Sequence, residues 1–321
     1  MPLDAEYLVD RRRLRRSLSV WRVTAFVLAA LVLVGLGITF AGPGAVPAGT
    51  PHIARVSVEG LIVNDRDREK MLRRMADADS VRAVILYVNS PGGSTTASEE
   101  LFNAVREIAH KKPVVTLMGT TAASGGYIAA LAGDHVVAHR TSLTGSIGVL
   151  AQWPNVTGLL DSIGVDMQTV KSGPLKAEPN PFEPTSDEAR EALRAAIMDS
   201  YEWFLTLVME RRGLDDAAAR AIGDGRIFTG GQAAELGLVD EVGDESVARG
   251  WLEREHGILR TMRVRDWEVD RGFGSLGLAG LAGVARLLGL EGLARQIARG
   301  FGSDLGLDGV IALWHPQLIE E

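Results

Sequence analysis

The chain has 321 residues, 46% of them hydrophobic, and carries 34 Lys and Arg against 41 Asp and Glu for a net charge of −7. That length and apolar content suffice for a globular core, and the acidic balance argues against a general nucleic-acid or anionic-membrane surface. Cysteine is absent, which excludes disulfides, thiolate zinc sites and cysteine nucleophiles and leaves hydroxyls and amines as candidate nucleophiles.

Residues 1–22 form a basic leader in which Arg11, Arg12, Arg13, Arg15, Arg16 and Arg22 outweigh Asp4, Glu6 and Asp10. Val23 to Gly42 then runs without a charge, long enough to cross a hydrocarbon core. A cleaved signal peptide has a shorter apolar region of roughly 7–15 residues, so the run reads as an uncleaved transmembrane anchor. The positive-inside rule puts the arginines in the cytoplasm and everything after Gly42 on the outer face of the membrane. Residues 43–52, "PGAVPAGTPH", are Pro/Gly-rich and read as a linker.

A domain over residues 53–270 follows. "IARVSVEGLIV" (53–63), "VRAVILYV" (81–88) and "PVVTLMG" (113–119) read as strands, separated by helices at 66–78 and 95–111. "HVVAH" (135–139) and "SIGVLAQ" (146–152) read as further strands. This alternation predicts an α/β fold with a mostly parallel sheet and flanking helices. Thr185 and Glu188 suggest a capping box for a packing helix over 186–212, ended by Gly213. Residues 271–321 form a Gly/Leu-rich extension whose uncharged run, 272–285, is too short to span a membrane. It reads equally as an amphipathic helix on lipid or on a neighbouring subunit, or as a terminal helix covering the core.

Three glycine motifs carry the chemistry: "NSPGGS" (89–94), "AASGGY" (122–127) and "TGSIGV" (144–149). In an open α/β sheet, sites form beyond the carboxyl ends of strands, which brings the first two loops together. Ser124 sits at a strand-to-helix turn, as a nucleophile or simply as a helix cap. For acyl transfer, the N–H of Gly125 with that of Gly93 or Gly92 would form an oxyanion hole. None of the six histidines is a compelling base. His135 and His139 share a strand face, but no carboxylate-bearing motif completes a metal site, and neither metal nor cofactor is expected. The base is then a lysine, as in Ser-Lys variants of the triad. Lys70, Lys111 and Lys112 belong to exposed helix patterns, leaving Lys171 and Lys176 in "VKSGPLKAEPNPFEPTS" (170–186), between which periodicity does not choose.

"NSPGG", "ASGGY", "TGSIGV", "KSGPLK" and "GRIFTGGQAAELGLVDEVG" (225–243), in this order behind a membrane anchor, closely resemble the signal peptide peptidase A family of bacterial serine proteases. The resemblance covers residues 53–256 and implies a crotonase-like or Clp-like fold with a Ser-Lys dyad. It implies Ser124 as nucleophile, Lys176 as general base and Ser146 as the serine that holds the lysine amine. It further implies degradation of residual signal peptides at the bacterial inner membrane. Because this is the single-unit form, it also implies a ring-like homo-oligomer in which Ser124 of one subunit meets Lys176 of the next. An acyl-CoA enzyme of the crotonase type would share the architecture, but the anchor topology argues against it. A non-catalytic membrane scaffold is the remaining alternative.

Overall fold

The computed structural model describes residues 21–24, 26–27, 49–269 and 311–313. Two compact units are distinguished, Met1–Thr50 and Pro51–Glu321. In the first, residues 21–24 and 26–27 are helical. Most of the expected anchor, 23–42, lies outside the described residues, as do the leader at 1–20 and nearly all of the extension at 271–321. Among the described residues no helix is long and apolar enough to cross a membrane.

Among the described residues, the second unit is built on a nine-stranded, mostly parallel sheet. Strands β1 (His52–Ile62), β2 (Val81–Ser94), β3 (Val114–Ala123), β4 (His135–Ala138), β5 (Leu143–Gly145), β6 (Ile227–Thr229), β7 (Glu241–Val242) and β8 (Val264–Asp266) come from the main body, and β9 (Ile311–Leu313) from the extension. The principal order is β6-β5-β3-β2-β1-β8, with β4 beside the first half of β3 and β7 beside β4. The β5–β6 and β2–β9 pairs alone are antiparallel among those described.

The central strands are apolar on both sides because both faces of the sheet are covered. Side chains alternate across a strand, so Ala54, Val56, Val84, Leu86 and Val88 face one core while Ile53, Ala83, Ile85, Val115 and Leu117 face the other. Helices α1 (Arg66–Asp77), α2 (Thr95–Ala109), α3 (Gly125–Ala130) and α5 (Asp187–Arg212) contribute to the first core. The second core is closed by α8 (Glu245–His256) through Trp251 and Leu252. Between these lie the short helices α4 (Thr157–Ser162), α6 (Asp216–Ile222) and α7 (Gly230–Glu235).

Three local readings are corrected. β2 does not end before "NSPGGS" but runs through it, with irregular register near Ser90 and between Glu59 and Leu61 of β1. Pro91, which lacks an N–H, is tolerated in a strand at such an irregularity. "SIGVLAQ" is not a strand: the paired residues are Leu143–Gly145, and positive φ at Gly145 (81°) and Ser146 (50°) turns the chain off the sheet. The cap of α5 is Ser186, whose Oγ accepts from Ala189 N–H at 3.1 Å, while Thr185 Oγ1 accepts instead from Trp153 Nε1. Gly213 closes that helix at φ 65°, as expected. Burial along α5 is concentrated at Phe204, Leu205, Leu207 and Val208, so only its last part packs as a core helix.

Residues 150–186 leave the body as an arm. The arm's only helix, α4, buries no residue, and Leu159, Ile163, Val165, Met167, Val170 and Phe182 are exposed. Its outgoing and returning legs are tied by Val156 N–H to Pro181 O (2.9 Å) and by the Trp153–Thr185 bond.

Candidate active site

The carboxyl ends of β2, β3 and β5 meet at one edge of the body. β3 pairs with β2 on one side, through Ser90↔Ala122, and with β5 on the other, through Ala123↔Gly145. Ser124 follows directly, and its N–H donates to Gly145 O at 2.8 Å. The next residue of β5's exit, Ser146, donates its N–H to Arg226 O at 2.8 Å. Ser124 and Ser146 thus leave adjacent strand ends.

Ser124 has φ 55° and ψ −120°, a backbone region that favours glycine. Holding a side chain there costs about 1–3 kcal/mol, and such strain concentrates at functional positions. The alternative helix-cap role is not what the hydroxyl does, since Ser124 makes no side-chain cap bond to α3. The residue is 1% exposed, and Oγ is one of four buried side-chain polar atoms without a partner among the described residues. Leaving a buried hydroxyl unpaired costs about 1–3 kcal/mol. Gly125 begins α3, where an N–H has no intrahelical acceptor.

The glycine strand end packs directly against this turn. A Cβ on Gly126 would lie 2.5 Å from Ser90 O, and one on Gly93 would lie 2.0 Å from Ile62 O. Both positions therefore require glycine for close backbone approach. Of the two candidate oxyanion glycines, Gly92 (φ 113°) already donates its N–H to Ser90 Oγ at 3.1 Å.

One side of β2 at Gly92 and Gly93 is occupied by β1, through Leu61 and Ile62. On the opposite side β3 departs after Ser90↔Ala122, and β9 takes its place antiparallel, with Gly92↔Leu313, Gly93↔Ala312 and Ser94↔Ile311. An extended segment of the chain therefore lies on the β2 backbone just past the point where β3 gives way to Ser124. Nothing in the reading of the Gly/Leu-rich extension foresaw this strand.

The lysine candidates separate clearly. Lys171 Nζ donates to Glu178 Oε1 at 2.5 Å and to Glu183 Oε2 at 2.8 Å. Those two carboxylates hold its ammonium above the usual lysine range, the opposite of what a base needs. Lys176 is exposed at the arm's surface. It makes no hydrogen bond to Ser124 Oγ, which has no partner among the described residues. The remaining lysines are engaged elsewhere: Lys70 with Asp67, Lys111 with Asp77, and Lys112 with the carbonyls of Met75 and Ala78. Of the paired histidines, His135 bonds Glu241 at 3.1 Å and stacks on Trp251, and no group of three or more metal-binding side chains occurs among the described residues.

The fifth motif, 225–243, is scaffolding behind these turns. Phe228 packs where a side chain on Gly145 would sit, and Tyr127 Oη donates to Leu238 O at 2.8 Å inside the core, where burial pushes its pKa up. Asp240 receives both Arg212 Nη1 (3.0 Å) and Nη2 (2.8 Å), locking the end of α5 onto the β4–β7 region.

Together these features define an α/β protein with a serine-centred site at the carboxyl ends of its parallel strands. The model for peptidase family S49 matches residues 106–259. A Methanocaldococcus jannaschii protein provisionally named a protease is 42% identical over 176 residues, 55% of this chain and 57% of that protein. A Synechocystis protein provisionally named a protease is 36% identical, over 62% of this chain and 72% of its own length. An Enterococcus faecium protein provisionally named the signal peptide peptidase SppA is 35% identical, over 65% and 64%. The chain belongs to peptidase family S49, the family of the SppA-type proteases. It spans 57% of the first of these relatives and 64% of the third.

Proposed function

We propose that the protein is a membrane-anchored serine endopeptidase that degrades residual signal peptides with a Ser-Lys dyad. The observation that carries this reading is Ser124, a buried hydroxyl without a partner among the described residues, on a strained turn at the strand ends. Ser124 Oγ attacks the peptide carbonyl carbon as its proton passes to the amine of Lys176. The N–H groups of Gly125 and Gly93 receive the oxyanion, and Gly93 is preferred to Gly92 because the Gly92 amide is already engaged. Lys176 then returns the proton to the leaving amine, and water hydrolyses the acyl-enzyme by the same route in reverse. Ser146 holds the lysine amine in place. No metal or cofactor takes part.

Peptide binds extended along β2 in the manner of an added strand. The pairing of β9 with Gly92–Ser94 supports this, because that stretch of backbone takes an antiparallel strand. Lys176 is supplied by a second copy of the chain. Support comes from the lack of a hydrogen bond between Lys176 and Ser124 within the protomer and from the apolar side chains that the lysine-bearing arm leaves exposed. Residues 23–42 anchor the chain in a bacterial inner membrane with the N-terminus cytoplasmic and the catalytic unit outside, beside its substrates.

Wild-type protein should cleave an unstructured apolar peptide, and Ser124→Ala and Lys176→Ala should each be inactive alone. Mixing the two inactive proteins under conditions of subunit exchange should restore activity at a fraction of sites. Mixed oligomers that stay inactive would exclude the shared site, and an active Ser124→Ala protein would exclude the nucleophile.

A further inference from the structure

Between Lys171 and Glu178 the arm makes a tight loop with Lys176 near its tip. Lys176 N–H bonds Gly173 O at 3.2 Å, Glu178 N–H bonds Leu175 O at 3.3 Å, and Ala177 sits at φ 61°. The base of the loop is closed by Lys171 Nζ, which bridges Glu178 and Glu183. Those side chains are well covered for so open a segment: Lys171 is 17% exposed and Glu178 7%. Asn180 Nδ2 adds a bond to Glu178 Oε1 at 3.0 Å, while Glu178 Oε2 is buried without a partner among the described residues.

An ion pair this well covered is retained at a desolvation cost, and it fixes geometry more than it adds stability. The arm has no hydrophobic core of its own to hold the loop, since α4 buries nothing and the neighbouring apolar side chains are exposed. We infer that Lys171, Glu178 and Glu183 form a positioning staple that fixes the loop presenting Lys176. Lys171 is a positioning residue that never exchanges a proton with substrate. Its two carboxylate partners keep it charged, which is the state the staple needs. This inference rests on the reading of Lys176 as the base and names the device that aims it.

The test uses the full-length chain in detergent, with peptide turnover followed across pH. Lys171→Met should lower kcat about 10- to 100-fold, as small misplacements of a reacting group do, with KM within about twofold of wild type. The residual rate should keep the wild-type pH profile because the base itself is intact. Lys171→Arg, which can still bridge two carboxylates, should recover most of the loss, and Glu178→Gln should resemble Lys171→Met. Hydrogen exchange should rise in residues 172–180 of Lys171→Met and not in β1–β3, at unchanged oligomer mass. A Lys171→Met protein with wild-type kcat overturns the staple. So does a Lys171→Arg protein as impaired as Lys171→Met, or a profile whose midpoint moves in Lys171→Met. An active Lys176→Ala protein would instead sink the reading of the base. The exchange measurement still reports on the staple in that case, because it needs no turnover.

Discussion

Ser124 occupies backbone geometry that a glycine would adopt without strain. Ser124→Gly should therefore be more heat-stable than Ser124→Ala by about 1 kcal/mol, both being inactive. Equal melting temperatures would mean that the turn stores no strain. Asp240 gives a second residue-scale prediction. Burial pushes its carboxyl up, but the two Arg212 hydrogen bonds and their charge prevail, and its pKa lies below the usual value. A lowered folded-state pKa means the contribution to stability is complete above the unfolded value of about 4 and is lost as pH falls through the folded value. Asp240→Asn should cost about 1–3 kcal/mol at neutral pH, and the gap to wild type should narrow below about pH 4. Denaturant melts at pH 7 and pH 3 check this. The position of Ser124 at a strand-to-helix turn was legible in the sequence, because a β-rich run ends just before it and two glycines open the helix after it, although the motif alone left nucleophile and helix cap open. The separation of Lys171 from Lys176 was not, because it depends on Glu178 and Glu183 folding back across a proline-containing loop, which no periodicity records.

At the scale of elements, the strands with strong apolar runs were legible to within a few residues, since burial on both faces leaves an unmistakable composition. The errors fell where glycine and proline govern. "NSPGGS" has the composition of a loop yet continues β2, because close contact with β1 demands glycine at Gly93. "SIGVLAQ" has strand composition yet leaves the sheet, because Gly145 and Ser146 take positive φ. Gly93→Ala follows from the first case. Its Cβ would meet the backbone of Ile62, which cannot rotate away, so β1 and β2 must part locally. The substitution should cost about 2 kcal/mol or more in denaturant unfolding and lower peptide turnover. A fully stable Gly93→Ala protein would mean that the two strands slide easily, and the rigid-edge account would fall.

For the whole molecule, the parallel α/β architecture and the approach of the first two glycine motifs at the strand ends followed from the order of elements along the chain, while the third, through Ser146, joins them by the pairing of β5 with β3. The return of the C-terminal extension as β9 did not, since three residues within a Gly/Leu-rich region carry no distinctive pattern. A chain ending at residue 310 leaves the Gly92–Ser94 backbone open. Its KM for an extended peptide should fall with little change in kcat, measured as initial rates over substrate concentration; an unchanged KM would mean that peptide approaches by another edge. The arm at 150–186 has a different consequence. Its legs are joined at their base by the Val156–Pro181 and Trp153–Thr185 bonds, and its helix adds nothing to either core. The part of the chain that bears the proposed general base thus contributes little to either core. Drift in the arm can retune or silence the chemistry at almost no cost in folding, so within such a lineage inactive descendants should be as well folded as active ones.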